Sequence, residues 1–344
     1  MKADMGKVLV WLFLGTTVFA IFSVVIGMIH MARDILALVQ FFAPSQVLAN
    51  ALNLPPILAF GGLWFQFAVI YFFLVIPLGV FALLVRQLIV RNRPTLWPRP
   101  APLDATRLKV AVVLTAYNDA QSIGLSVDDF RERAQVAQVI VVDNNSRDGT
   151  AEVARAHGAT VVLESRQGYG WACIGGLSYA LRETSADAIV LCEGDHTFFG
   201  EDLGKFIPYL ADCDLVVGTR NTRVLTLEGS QMDWFMAWGN LYLAILIRLR
   251  YWNWAFLGRI QLTDVGCTYR VIRRTALARI IDRLTVGSHH FSPHMILVAL
   301  REHLAVMEVP IKFRRRVGPS KGASRSRLAS LQVGLTMIGS IAIH

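Results

Sequence analysis

The stretch VLCEGDHTFF brings an apolar run to an end in two carboxylates, Glu193 and Asp195, with only Gly194 between them. Two carboxylates at this spacing can hold a hard divalent cation, Mg²⁺ or Mn²⁺, and leave coordination positions open for the oxygens of a phosphorylated ligand. Such an ion would act as a Lewis acid on a diphosphate leaving group. The same residues, placed before a helix near Glu201, would also suit a turn and a helix cap. On the pair alone both readings stand.

Other polar residues stand at the ends of similar runs. KVAVVLTAYN ends at Asn118, AQVIVVDNNS carries Asp143 near its end, and DLVVGTR closes on Arg220. Between these β-branched runs, with ATVVLES a further one, lie amphipathic helix-like stretches. The alternation predicts an α/β domain, a mostly parallel Rossmann-like sheet with helices on both faces. Ligands of such sheets bind beyond the carboxyl ends of the strands. Several polar strand ends in one crevice favour a site, and with it the metal reading of Glu193 and Asp195. Asp143 at a strand tip could accept from ribose hydroxyls or a base N–H, whereas Ser146 and Asp148 in SRDGT read as turn and cap residues. The glycine-rich QGYGWACIGG, from Gln167 to Gly176, could bring backbone close to a phosphate or sugar, or could serve helix packing. There is no GxGxxG after the first strand and no GxxxxGK[ST], so dinucleotide and P-loop sites are unsupported.

In order along the chain, LTAYNDAQSIG, VVDNNSRDGTAEVA, QGYGWA, EGDHTF, DLVVGTR, DVGCTYRVIRR and EVPIKFRRRVGPSK resemble the motifs of family 2 glycosyltransferases. The likeness is to the branch with dolichol-phosphate mannose synthase and bacterial polyprenyl-phosphate glycosyltransferases, and it spans residues 109–321. The resemblance implies a GT-A fold, a UDP- or GDP-linked sugar donor, a divalent metal and inversion at the anomeric carbon. It implies that Ala116, Tyr117, Asn118 and Asp143 line the nucleotide, with Gln167, Gly168 and Gly194 beside them. Glu193 and Asp195 stand where the family has its Asp-x-Asp metal site. Arg220, Arg270, Arg316, Ser320 and Lys321 match basic or polar positions around the diphosphate and the acceptor phosphate. Three features depart from or narrow the pattern: Glu193 replaces an Asp, His294 in FSPHMIL stands where an acidic residue is expected, and no QxxRW appears, which argues for transfer of a single sugar. Asp264 is the candidate base should the acceptor be a hydroxyl.

These residues would work beside a membrane. The chain of 344 residues is 54% hydrophobic and only 17% charged, against about 45–50% and about 25% for soluble domains. Residues 8–30 are uncharged, and no charge lies between Asp34 and Arg86. About 20 apolar residues span a bilayer, so a two-helix hairpin is expected in 1–93. Basic flanks at Lys2, Lys7, Arg86, Arg91, Arg93 and Arg99 put both ends on the cytoplasmic side. A Pro-rich linker, 94–107, then leads to the catalytic domain, 108–311. Residues 312–344 form a basic acceptor or membrane-surface segment and an apolar helix. Lys312, Arg314, Arg315, Arg316, Lys321, Arg325 and Arg327 fall there without an acidic residue, which suits an anionic membrane surface and a lipid phosphate. Trp234, Trp238, Trp252 and Trp254 mark an interfacial or a buried helix. Cys173, Cys192, Cys213 and Cys267 read as reduced core thiols.

The function expected is transfer of one sugar to a polyprenyl phosphate. Two alternatives are a glycosyltransferase acting on a saccharide or lipid hydroxyl, and an inactive membrane-anchored nucleotide- or lipid-binding subunit. The net charge of +9 lies largely at the membrane flanks and no recognition motif accompanies it, so nucleic acid is not an expected partner. A second copy of the chain is an admissible one.

Overall fold

The computed structural model describes residues 100–104, 107–230, 232–251, 261–318 and 327–343. The expected membrane hairpin, most of the linker, Trp252, Trp254, Ser320, Lys321 and Arg325 lie outside them. Seven strands form one sheet: β1 (Val110–Ala116), β2 (Val136–Asp143), β3 (Thr160–Leu163), β4 (Ala188–Glu193), β5 (Leu215–Thr219), β6 (Arg270–Arg273) and β7 (Val306–Pro310), in the order β3-β2-β1-β4-β6-β5-β7. Among the described residues the α-helices are α1 (Ile123–Arg131), α2 (Thr150–Ala156), α3 (Tyr169–Glu183), α4 (Leu203–Phe206), α5 (Trp234–Arg250), α6 (Arg274–Ile280), α7 (Phe291–Arg301) and α8 (Arg327–Ile343).

Both faces of the sheet are covered, which explains why its strands read as unbroken apolar runs rather than alternating ones. Side chains alternate along each strand. Val110, Val112 and Leu114 pack toward Ile123, Val127 and Phe130 of α1, while Ala111 and Val113 pack toward Cys173 and Leu177 of α3. All four cysteines are buried and unpaired in these two layers.

The register fixes where the polar strand ends fall. Ala116 pairs with Asp143, and Thr115 with Glu193, so β1, β2 and β4 finish level. Across the sheet, Thr219 pairs with Pro310, which brings Arg220 and the segment after β7 to the same edge. β6 runs antiparallel between β4 and β5, with Arg270 opposite both Leu191 and Val217. The sheet is mostly parallel, as expected from the sequence, and β6 is the antiparallel strand among the described ones.

α5 starts at Asp233, whose side chain accepts from the Met236 backbone N–H at 2.9 Å. It buries Leu243, Ala244 and Ile247, while Trp238, Tyr242 and Ile245 are exposed. The apolar tail forms α8, with Met337 and Ile341 buried in the layer that holds α3, α5 and α7. Among the described residues no helix is long and apolar enough to cross a membrane.

Candidate active site

A cavity of about 780 Å³ opens at the carboxyl edge of β1 and β4. Thr115, Ala116, Tyr117 and Asp119 line one side, Asn144, Gln167 and Gly168 another, and Glu193, Asp195, Arg220 and Arg316 its polar floor.

The loop after β1 is held by the loop after β2. Asn118 has φ of 52°, a left-handed conformation that Asn tolerates better than most residues. Its backbone N–H donates to Ser146 Oγ at 2.8 Å, and its Oδ1 accepts from the Arg147 N–H at 2.8 Å. The Asp119 N–H donates to Thr150 Oγ1 at 2.8 Å, and the Ala120 N–H to Asp148 Oδ2 at 3.0 Å. Ser146 and Asp148 thus do more than the expected local capping; they tie two loops together. Asp143 is buried, accepts from the Ser146 N–H at 3.2 Å, and does not line the cavity. One of its oxygens thus holds the turn after β2. Its neighbour Asn144 takes the cavity position: Oδ1 accepts from the Gly168 N–H at 2.8 Å, and Nδ2 donates to the Glu164 and Arg166 carbonyls.

Gly168 lies at φ of 145°, and a side chain there would collide with the Gly287 carbonyl; one at Gly170 would collide with that of Val286. The glycine-rich loop is therefore shaped by the close passage of residues 286–287, although Gly168 also reaches the cavity. Gly194 was expected at the nucleotide but does not line the cavity. Its N–H donates to Thr115 O at 2.9 Å, and its Cα faces Ile123, too close for a Cβ. It is glycine for packing, and this lets Glu193 and Asp195 flank it.

Asp195 is buried and committed on both oxygens. Oδ1 accepts from the Thr197 N–H at 3.1 Å and its hydroxyl at 2.7 Å, while Oδ2 lies 3.0 Å from Arg316 Nη1. Arg316 Nη2 also reaches Asp119 Oδ1 at 2.9 Å. Glu193, half-buried, has its carboxyl pushed up to about 8 by burial and by the charge of Asp195, with Arg316 and Arg220 pulling it back. Two hard oxygen donors pressed together in this way suit a dication. Among the described residues no third His, Cys, Asp or Glu closes around them. A cation here would complete its shell with ligand oxygens and water, as Mg²⁺ and Mn²⁺ do at phosphate sites.

Arg220 is gripped by Asp264. Nε donates to Oδ2 at 2.7 Å and Nη2 to Oδ1 at 2.8 Å, and the Arg220 backbone N–H adds a third contact at 3.0 Å. Asp264 is 0% exposed. It is not poised as an open general base; it aims Arg220 at the cavity. Beneath it, Glu308 accepts from the Asp264 N–H at 2.8 Å and from the Thr263 N–H and hydroxyl. Arg270, expected at the diphosphate, is 1% exposed and lines nothing. It donates to the carbonyls of Cys267 (2.9 Å), Val265 (3.0 Å) and Ser292. Its charge secures the 264–268 turn that carries Asp264. His294 is likewise buried, facing residues 283–285 at 3.3 Å. His289 reaches the cavity instead, stacked on Tyr169.

The basic run after β7 divides by task. Arg314 stacks on Phe199 at 4.0 Å and donates to the His196 and Phe198 carbonyls, and Lys312 pairs with Glu201 at 2.6 Å. Both anchor the segment, and Arg316 alone of the described run lines the cavity. Sequence reasoning missed Asp119, Asn144, Glu308 and His289. Asp119 and Asn144 stood inside quoted motifs, next to residues that were chosen.

The Glycosyl transferase family 2 model matches residues 111–281. A dolichyl-phosphate hexose transferase of Haloferax volcanii is 30% identical, over 62% of this chain and 86% of the relative. An undecaprenyl-phosphate mannosyltransferase of Micrococcus luteus is 27% identical, over 62% of this chain and 87% of the relative. Among solved structures, glucosyl-3-phosphoglycerate synthase of Mycobacterium tuberculosis, in complex with Mn²⁺, UDP-glucose and phosphoglyceric acid, superposes with a TM-score of 0.51. It is 20% identical and the match covers 72% of this chain and 86% of that one, a likeness of fold. A mixed seven-stranded sheet with its acidic pair at the β4 tip, together with these relatives, gives the conclusion: the chain is a glycosyltransferase and belongs to glycosyl transferase family 2.

Proposed function

We propose that this enzyme transfers one sugar, with inversion, from a UDP- or GDP-linked donor to a polyprenyl phosphate at the cytoplasmic face of a membrane. The observation that carries the reading is the make-up of the cavity. One end holds Glu193, Asp195, Arg220 and Arg316, and the other is walled by apolar residues of α5 and α8. A charged head and an apolar tail on one ligand match that division. The two relatives, an undecaprenyl-phosphate mannosyltransferase and a dolichyl-phosphate hexose transferase, point the same way.

In this reading Glu193 and Asp195 would hold Mg²⁺ or Mn²⁺, which supplies Lewis-acid stabilisation of the nucleoside diphosphate as it leaves. Ala116, Tyr117, Asn144, Gln167 and Gly168 flank the nucleotide. Arg220, held in one orientation by Asp264, presents fixed positive charge where the leaving group gains negative charge. Arg316 meets the acceptor phosphate, with Ser320 and Lys321 as further contacts. A monoalkyl phosphate has its second pKa near about 6, so its oxygen is ionised at neutral pH and no side chain needs to remove a proton. That suits a site whose Asp264 is locked in an ion pair. A hydroxyl acceptor would need a free base. The two N-terminal spans are part of the proposal and would hold the catalytic domain against the lipid.

The test is a panel of labelled UDP- and GDP-sugars against undecaprenyl and dolichyl phosphates, with products read by mass. Transfer to a soluble saccharide and to no polyprenyl phosphate would end the proposal.

A further inference from the structure

The turn that follows Asp195 has an unusual backbone. His196 lies at φ of 60°, a left-handed conformation in a residue that carries a side chain. Such a backbone persists only where its surroundings over-determine it. Here the main restraint comes from Arg314, 118 positions further along the chain. Its Nε donates to His196 O at 2.6 Å, its backbone N–H to Thr197 O at 2.9 Å, and its Nη2 to Phe198 O at 2.8 Å. Three successive carbonyls of the turn therefore end on one residue. Nη2 also reaches His196 Nδ1 at 2.9 Å and Asp129 Oδ2 at 3.1 Å. Asp129 accepts in addition from the Gly200 N–H at 3.0 Å, and the guanidinium lies 4.0 Å from the Phe199 ring centroid. Within the turn, the Thr197 N–H and hydroxyl hold Asp195 Oδ1 at 3.1 and 2.7 Å. Turning the peptide that joins His196 to Thr197 would carry that N–H away from the carboxylate. The conformation of His196 thus decides where Asp195 points.

We propose that Arg314 is a positioning residue: it holds His196 in the left-handed conformation and through it aims Asp195 at the cavity. The role is separate from anchoring the basic segment, and it rests on the reading of Glu193 and Asp195 as cation ligands. Arg314 does not line the cavity, so it acts on the site only through the turn. Its planar fork, rather than its charge alone, carries the role, because two of the three carbonyls are taken by different nitrogens of one guanidinium.

A suppressor pair supplies the test. Arg314→Lys keeps the positive charge and loses the fork. His196→Gly removes the side chain that makes the left-handed conformation costly. Full-length protein in detergent is followed in two ways: Mn²⁺ affinity by EPR titration without donor, and hydrogen–deuterium exchange of metal-free peptides covering residues 195–198. Arg314→Lys should weaken Mn²⁺ binding about fivefold or more, the low end of what one strained backbone conformation costs, and should speed exchange in the turn. Adding His196→Gly should recover most of the affinity and the protection, although it restores none of the contacts of Arg314. A residue needed only for stability would show no such rescue. His196→Val, with Arg314 intact, should also weaken Mn²⁺ binding, because a β-branched residue resists positive φ; this variant decides the matter should an Arg314 variant fail to fold. Arg314→Lys that binds and exchanges as wild type does, a double variant no better than Arg314→Lys, or His196→Val that binds as wild type does would overturn the role. A wild type that binds no Mn²⁺ separates the two claims: the cation reading falls, and the exchange rates alone then decide whether Arg314 holds the turn.

Discussion

Arg316 Nη1 sits 3.0 Å from Asp195 Oδ2, and the other oxygen of that carboxylate is taken by Thr197. The guanidinium thus stands in the electrostatic place that a metal-binding reading gives to a cation. A divalent ion and Arg316 would repel one another at this separation, in a site screened little by water. Arg316→Gln should therefore tighten Mn²⁺ binding to the donor-free protein, by about three- to tenfold, while raising the KM for the lipid acceptor. Titration of Mn²⁺ followed by its EPR signal reads the first effect, and unchanged or weaker binding would show that Arg316 does not compete.

Asp195→Asn keeps a side-chain acceptor for Thr197 but removes the charge. Transfer should fall by about 10²–10³-fold, the size of effect seen when one group stabilising a developing charge is lost. Chelation by EDTA should abolish wild-type transfer, with recovery on adding Mn²⁺ or Mg²⁺. Initial rates with saturating donor measure both. Transfer that is indifferent to chelator would remove the metal from the reading.

Asp264→Asn tests positioning against base catalysis. Both carboxylate oxygens are held by Arg220, and Asp264 has no exposed surface. The substitution leaves a mostly buried guanidinium without its counter-charge, a change that costs about 3–5 kcal/mol in comparable pairs. Thermal stability and kcat should drop together, and the pH–rate profile of the residual activity should keep its shape. A normal melting temperature with the loss of one ionisation from the profile would instead mark Asp264 as a base.

What could be read in the sequence divides along sequence distance. β1 to β5 were legible because strands covered on both faces carry continuous β-branched runs. β6 was not, because Arg270 and Arg273 bracket only Val271 and Ile272 and break the apolar signal. Both arginines are buried on backbone carbonyls of other segments, and no local pattern announces such partners. The same holds at the site. Glu193 and Asp195 were legible from their spacing, whereas Asp119 matters through Arg316, 197 residues away. The resemblance puts Arg270 at a basic position around the phosphates, and only the packing shows that its guanidinium is enclosed.

Glu193 gives the pH dependence. Its carboxyl is raised from 4.5 to about 8 by burial and the adjacent Asp195. Between those values the unfolded chain releases a proton that the folded chain retains, so the metal-free protein should lose stability as pH rises. The contribution is full below the unfolded value and gone once the folded carboxyl ionises. Glu193→Gln has no proton to lose there. In EDTA its melting temperature should vary less than that of wild type from about pH 5 to about pH 8, and exceed it at the upper end. Mn²⁺ binds the ionised form, so it should stabilise wild type more as pH rises. Calorimetric melts of both proteins across this range, with and without Mn²⁺, make the comparison. Parallel slopes in EDTA would mean that the carboxylate pair is not strained by its own charge, and the argument for a cation at the β4 tip would lose its electrostatic basis.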